Sequence, residues 1–377
     1  MHYLDYAATT PVSPAVAAVM TEALTKYYGN PSSQYSKGRE AKALVDESRA
    51  TIASALGCKS GQLFFTSGGT ESDNWAIRAA LHQNRRAGKH IITTAVEHSA
   101  VMQLMKELEQ EGYEVTYLKP DRAGHITVEQ VAAALREDTA LISIMLVNNE
   151  IGVRYPVGEV STLLRIKQHQ ALLHTDAVQA FLKVPFTAKD LGADLISVSA
   201  HKIGGPKGIG ALYIGSRVKK PQPMFFGGGQ ESGLRSGTEP VAQIMGFAKA
   251  VELRAADLPS ILSRTGSIRA YALDKLAAIP DLVVVGKGDA PHILAVSLPG
   301  YPSQNIVSEL DARGIYVSAG SACHKGKASH VLTAMGLDKR TAAGTIRISF
   351  GEDTTRGNVD ALYVSLLMHK TTRYPML

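Results

Sequence analysis

An apolar run, Leu195-Ile196-Ser197-Val198, leads into Ser199-Ala200-His201-Lys202 and then a turn, Ile203-Gly204-Gly205-Pro206. That order places a primary amine just past the end of a buried strand. Poor solvation disfavours the ammonium form and enlarges the share of neutral amine, the nucleophile that Schiff-base chemistry needs. A solvated lysine at a strand end reads the same way in isolation, so the other strand ends have to decide.

Four of them carry suitable groups. Phe65-Thr66-Ser67-Gly68-Gly69-Thr70-Glu71-Ser72 joins a strand to a helix through two glycines, letting backbone N–H groups approach an anion at a helix start. It lacks the Gly-Lys-Ser/Thr of a nucleotide-binding P-loop, and no third glycine completes a dinucleotide fingerprint after Gly208 and Gly210 or after Gly227 and Gly229. His174-Thr175-Asp176-Ala177-Val178-Gln179 ends an apolar strand on a carboxylate, which when buried needs a cationic or hydrogen-bonding partner. A protonated pyridine nitrogen would be such a partner; a helix-capping aspartate is the plain alternative. Val96-Glu97-His98-Ser99 and Val147-Asn148-Asn149-Glu150 put an imidazole and amides at comparable places.

A second nucleophile stands far along the chain. Cys323 lies in Ser318-Ala319-Gly320-Ser321-Ala322-Cys323-His324-Lys325-Gly326-Lys327, among small, polar and basic residues. Positive neighbours lower a thiol's pKa and enlarge its thiolate fraction. Cys58, in Leu56-Gly57-Cys58-Lys59, reads as a structural or exposed bystander.

These residues need a sheet to line them up. Strands are expected at 63–66, 90–93, 115–118, 141–147, 172–175, 195–199 and 211–214, with helices at 38–56, 71–81, 99–111 and 128–135, the alternation of a mainly parallel α/β sheet. Ligands in such folds collect at the carboxyl ends of strands. A long helical region over 240–276 leads to a smaller α/β unit, with strands at 282–285, 293–298 and 345–349 and helices at 303–313 and 355–368.

At 377 residues, 45% hydrophobic and 20% charged, the chain can build a large core and at least two domains. A net charge of +6 comes from 40 basic and 34 acidic residues that are intermixed, so no basic stripe suggests nucleic-acid binding. Two cysteines are too few for a disulfide framework and form no metal-ligand pattern; reduced thiols in a cytoplasm fit best. No basic-then-apolar leader opens the sequence and no apolar run is long enough to span a bilayer, so neither export nor membrane binding is expected.

A phosphate cup, an imidazole, amides, an acid and a lysine, all at strand ends, match what pyridoxal 5'-phosphate requires. At this point the chain resembles the fold-type I pyridoxal-phosphate enzymes, and within them the cysteine desulfurase family of class V aminotransferase-like proteins. The resemblance runs from Tyr3-Leu4-Asp5-Tyr6-Ala7-Ala8-Thr9-Thr10-Pro11 through Gly29-Asn30-Pro31-Ser32-Ser33 to Arg347-Ile348-Ser349-Phe350-Gly351. It implies a large, mainly parallel seven-stranded sheet domain over 12–255 and a smaller α/β C-terminal domain formed by 1–11 with 256–377.

The resemblance also implies roles. Lys202 would carry the cofactor as a Schiff base, His98 would stack on its ring and handle a proton, and Asp176 would pair with the ring nitrogen. Asn149 and Gln179 would sit near the ring's oxygen side. Gly69, Thr70, Ser199 and His201 would hold the phosphate, with Thr238 reaching across from the other subunit of a homodimer. Arg347 would clamp the substrate carboxylate, beside Asn149, and Cys323 would take sulfur from L-cysteine as a persulfide for a protein acceptor. Iron-sulfur cluster assembly, tRNA thiolation and cofactor synthesis are all open as destinations. A selenocysteine lyase or another class V enzyme is the near alternative, and a catalytically silent scaffold the distant one. The chain departs from the usual pattern at Gln34-Tyr35, where many relatives have a histidine, and in the shorter, more basic segment that follows Cys323.

Overall fold

The computed structural model describes residues 1–320 and 329–376, so Cys323 lies outside the described residues. Strand β1 is His2–Tyr3; β2 to β8 are Leu63–Thr66, His90–Thr94, Glu114–Leu118, Thr139–Ser143, Leu172–Asp176, Leu195–Ser199 and Gly210–Ile214; β9 to β13 are Val283–Val284, Ile293–Ser297, Ile315–Tyr316, Ser318–Ala319 and Thr345–Ser349. Strands β2 to β8 form one seven-stranded sheet in the order β2-β8-β7-β6-β5-β3-β4. Only β8 runs against its neighbours, pairing antiparallel with β2 and β7. Strands β3, β5, β6 and β7 are buried at every residue, because helices cover both faces, and they therefore read as apolar runs without alternation.

A four-stranded antiparallel sheet, β12-β13-β10-β9, makes the second layer system, and β1 pairs in parallel with β11. Each sheet has its own apolar packing: helix Gly69–Gln83 buries Trp75, Ile77 and Ala80 against one face of the large sheet, while Leu294, Ile348, Leu362 and Leu366 fill the interior of the small one. Among the described residues no helix is long and apolar enough to cross a membrane.

Two expected elements differ. The strand expected over 141–147 ends at Ser143, since the Met145 N–H turns away to the Glu97 carboxylate while Ile144 and Leu146 still donate to His174 and Asp176 of β6. The helical region over 240–276 is two helices, Val241–Ala256 and Leu258–Leu276, broken at Asp257. Pro259 explains the break: its nitrogen cannot donate to the Ala255 carbonyl and its ring crowds that carbonyl, so the first helix cannot run through it, whereas a proline is tolerated in the first turn of the second.

Tight backbone contacts set the site's floor. Gly68, at φ 151°, adopts a conformation that suits glycine and caps helix Gly69–Gln83 without a side chain. Gly210 lies beneath it: a Cβ there would stand 2.8 Å from the Gly68 Cα and 2.6 Å from the Val198 carbonyl oxygen.

Two carboxyls are sealed under the strand ends. Glu97 is 1% exposed and accepts hydrogen bonds from Met145 N–H and Thr94 Oγ1; Asp73, also 1% exposed, stands 3.5 Å from His174 Nε2. Burial pushes Asp73 from 3.8 up to about 7 and Glu97 from 4.5 up to about 8. Between the ordinary and the raised values the unfolded chain has released protons that the folded chain still holds. Stability therefore falls as pH rises through that window and levels off above about 8. Asp73→Asn or Glu97→Gln is expected to flatten the decline by up to about 1 kcal/mol per pH unit. Urea unfolding of the ligand-free protein at a series of pH values checks this, and an unchanged slope in both variants would refute it.

Candidate active site

Strand β7 ends at Ser199 and a single turn of 3-10 helix, Ala200–Lys202, swings the lysine back across the strand ends. Its Nζ donates to the carbonyl oxygens of Ala7, at 2.7 Å, and Ala8, at 2.8 Å. Burial pushes this amine down to about 8 and Arg347 adds to the effect, while Asp176 and Asp5 oppose it. A substantial neutral fraction is thus present near neutral pH, the state that adds to a carbonyl.

Lys202, His98, Asn149, Asp176, Gln179 and Arg347 line one cavity of about 260 Å³. Asp176 ends β6, is 6% exposed and accepts the Val178 N–H at 2.8 Å. It forms no ion pair among the described residues, and burial, with Asp73 adding, pushes its carboxyl up to about 7. His98 caps helix Ser99–Gln110: its Nδ1 accepts the Ala100 N–H at 3.2 Å, which leaves the proton of the neutral ring on Nε2. Burial lowers its pKa, so the neutral ring is favoured. Gln179 donates through Nε2 to the Ala7 carbonyl at 2.8 Å.

Arg347, on β13, is held on several sides. Nη1 donates to the Asn149 carbonyl at 2.8 Å, and Nη2 donates to Asp5 Oδ1 and to Ser318 Oγ, each at 2.9 Å. Asp5 and Ser318 were not among the candidates read from sequence. Nor was Glu150, which lines the same cavity and accepts a 2.6 Å hydrogen bond from Ser329 Oγ. The pairing of residues 5 and 347 carries no sequence signal beyond the motifs each sits in, because a contact across 342 positions is visible only in the fold.

The expected phosphate group lies outside the lining of that cavity but along its edge. Gly69 opens helix Gly69–Gln83 and packs against Val178, a lining residue, so closely that a Cβ would stand 2.8 Å from Val178 Cγ2. Thr70 is exposed in the same first turn, Ser199 is buried at the end of β7, and His201 Nδ1 meets Thr9 Oγ1 at 3.2 Å. Thr238 is exposed, on the stretch before helix Val241–Ala256, and is not brought to the cavity of its own chain. One ion pair, Arg235 with Glu71 at 2.9 Å, ties that stretch to the cup, and a second, Arg49 with Glu231 at 2.6 Å, ties it to helix Ser36–Leu56. Cys323 lies outside the described residues.

This donor set fits pyridoxal phosphate. A buried carboxyl without a cationic partner suits a protonated ring nitrogen, and a depressed amine faces the same space. A 15-residue helix begins beside them on a glycine without a side-chain cap, which suits a phosphate.

Comparison with known proteins agrees with that chemistry. The family model described as aminotransferase class-V matches residues 2–362. A protein named cysteine desulfurase IscS from Clostridium botulinum is 40% identical over 365 residues, covering 95% of this chain and 91% of its own length. A putative cysteine desulfurase IscS 1 from Bacillus subtilis is 42% identical over 363 residues, with 95% of each covered. A solved structure titled NifS-like protein superposes with a TM-score of 0.92 at 36% identity, covering 98% of this chain and 99% of its own. Similarity at this level over nearly the whole length, on a sheet of the same architecture, means that the chain belongs to the class-V aminotransferase family, among its cysteine desulfurases.

Proposed function

We propose that the chain is a pyridoxal-phosphate-dependent cysteine desulfurase, converting L-cysteine to L-alanine and passing the sulfur through a persulfide on Cys323 to a protein acceptor. The observation that carries this reading is one cavity lined by a depressed amine, an unpaired buried carboxyl and a guanidinium. Bound pyridoxal phosphate supplies an electron sink for charge that develops on the substrate α-carbon.

The chain's own residues do the rest. Arg347 takes the substrate carboxylate and, with Asn149 beside it, orients the α-carbon; a planar guanidinium suits that bidentate task. Asp176 holds the proton on the ring nitrogen, and Gln179 and Asn149 stand on the ring's oxygen side. His98 presents its ring to the cofactor and carries on Nε2 a proton for the substrate or its leaving group. Gly69, Thr70, Ser199 and His201 hold the phosphate, and Thr238 contributes to the cup of the partner subunit in a homodimer. Lys202 would hold the cofactor and, as a neutral amine, would take the proton from the substrate α-carbon and return it when alanine forms. Cys323 thiolate attacks the substrate sulfur; the C–S electron pair stays with the β-carbon, which takes a proton and becomes the methyl group of alanine. A reducing, cytoplasmic setting suits a reactive thiol of this kind.

Incubating the purified protein with L-cysteine and pyridoxal phosphate is expected to yield alanine, with sulfide in equal amounts when a thiol reductant is present; without reductant, the peptide containing Cys323 is expected to gain the mass of one sulfur atom, about 32 daltons. Cys323→Ser and Lys202→Ala are each expected to lower alanine formation more than about a hundredfold. Undiminished alanine formation by the Cys323 variant would exclude persulfide transfer and favour a lyase. Asp176→Asn removes a charge-assisted hydrogen bond and is expected to reduce kcat roughly 10- to 100-fold, measured as alanine release at saturating cysteine; wild-type turnover in that variant would remove Asp176 from its assigned place.

A further inference from the structure

We propose that a second cavity, on the other side of Lys202 from the substrate site, binds a small aliphatic carboxylate through the ammonium of Lys183. The cavity measures about 330 Å³ and lies between the 10–14 stretch, helix Val241–Ala256 and residues 350–353. Lys202 is common to its lining and to that of the substrate cavity.

The charges in its wall are unbalanced. Lys183 is 3% exposed, and its one hydrogen bond among the described residues is to Gln179 Oε1, a neutral acceptor at 3.4 Å. Lys202 likewise meets only the carbonyls of Ala7 and Ala8. Arg254 is committed elsewhere, donating to the Leu182 carbonyl at 2.7 Å and pairing with Glu352. Asp353, the other carboxylate in the lining, is exposed at the rim. His292 offers no compensation: it is buried, and burial and the charge of Lys183 push it well below the ordinary imidazole value, so it stays neutral. Burial, with the charges of Arg254 and Lys202 adding, pushes Lys183 well below the ordinary lysine range, so its ammonium form is costly while the cavity holds no counter-ion; an anion entering that cavity relieves the cost and favours the ammonium it binds.

The lining also selects the anion. With Arg254 engaged, and Lys202 taken up by the cofactor, Lys183 is the lining amine left without an ion pair among the described residues, which suits a single negative charge. The rim carboxylates Glu352 and Asp353 repel anions of higher charge. Ala250, Leu253 and Phe350 supply apolar wall for a short aliphatic tail. The ligand's place beside Gln179 and Lys202 would let it bias the amine that the substrate has to displace.

Sodium propionate, titrated calorimetrically into the holoenzyme against sodium chloride of equal ionic strength, is the probe. A saturable heat with a Kd of roughly 1–10 mM is expected. Lys183→Met and, independently, Leu253→Glu at the exposed rim are expected to weaken binding at least tenfold, while Arg347→Gln keeps it. The inference rests on the proposed function where Lys202 is taken up by the cofactor and in that last control. No saturable heat in the wild type would overturn the inference, as would wild-type binding by a folded Lys183→Met or Leu253→Glu protein. Loss of binding in Arg347→Gln would also overturn it, by placing propionate at the substrate clamp. A holoenzyme that forms alanine from cysteine yet ignores propionate would sink this site and leave the desulfurase reading intact.

Discussion

The site depends on nine residues at the start of the chain, His2 to Thr10, which are fastened to both sheets at once. On the small-sheet side β1 pairs with β11, the Leu4 carbonyl accepts the Ser349 N–H, the Ala7 N–H donates to Ser349 Oγ, and Asp5 pairs with Arg347. On the large-sheet side the carbonyls of Ala7 and Ala8 accept from Gln179 and Lys202, and Thr10 Oγ1 both donates to the His201 carbonyl and accepts the Gly204 N–H. The cavity exists because this strap lies across the carboxyl ends of β6 and β7 while holding the β13 arginine opposite them. A backbone carbonyl is a useful partner for the lysine here. It accepts a hydrogen bond without the charge that would stabilise the ammonium, so burial is left free to depress the amine.

The electrostatics follow from what is withheld as much as from what is supplied. Asp176, Asp73 and Glu97 are three buried carboxyls under the strand ends, each pushed up chiefly by burial, and none forms an ion pair with Lys or Arg among the described residues. His174 stands nearest, with hydrogen bonds to Ser143 and Ser197 at 2.9 and 3.1 Å, and burial pushes it down to about 4, so it supplies no cation. Asp176 is the one of the three that lines the cavity, so on the proposed function a bound ring nitrogen would be the cation that favours its carboxylate. Asp73 raises Asp176 further, which disfavours its carboxylate until a cation stands beside it.

Local groups at strand ends were legible because both signals are local: an apolar run marks the strand, and the polar residue after it marks the end. Lys202, Asp176, His98 and Asn149 meet in one cavity for that reason. The two glycines of the cup were legible as well, since Gly68 needs a backbone conformation that suits its residue type. What escaped is made of backbone acceptors and distant pairs. Ala7 and Ala8 act through their carbonyls, which every residue has, and Asp5 finds Arg347 only once β1 and β13 are packed. Strands of two residues, such as β1 and β11, are too short to show a period. The over-long strand through Val147 failed because a buried Glu97 side chain, not a strand, took the Met145 amide.

Arg347 shows how the cavity discriminates before any chemistry begins. Of its donors, Nη1 serves the Asn149 carbonyl and Nη2 serves Asp5 and Ser318, so the guanidinium is oriented by the protein and not by the ligand. Its charge is half-spent on Asp5, and an incoming carboxylate competes with that residue for the same fork. A weak or misplaced acid gains too little to disturb the pair, whereas an amino acid whose amine also engages the lysine side gains from both ends. Ser318 lies in β12, two residues before the segment 321–328, and shares hydrogen bonds with both Asp5 and Arg347. On the proposed function, a carboxylate captured at Arg347 would compete for hydrogen bonds that also hold the strand leading to Cys323, tying recognition of the carbon skeleton to the residue that would take its sulfur.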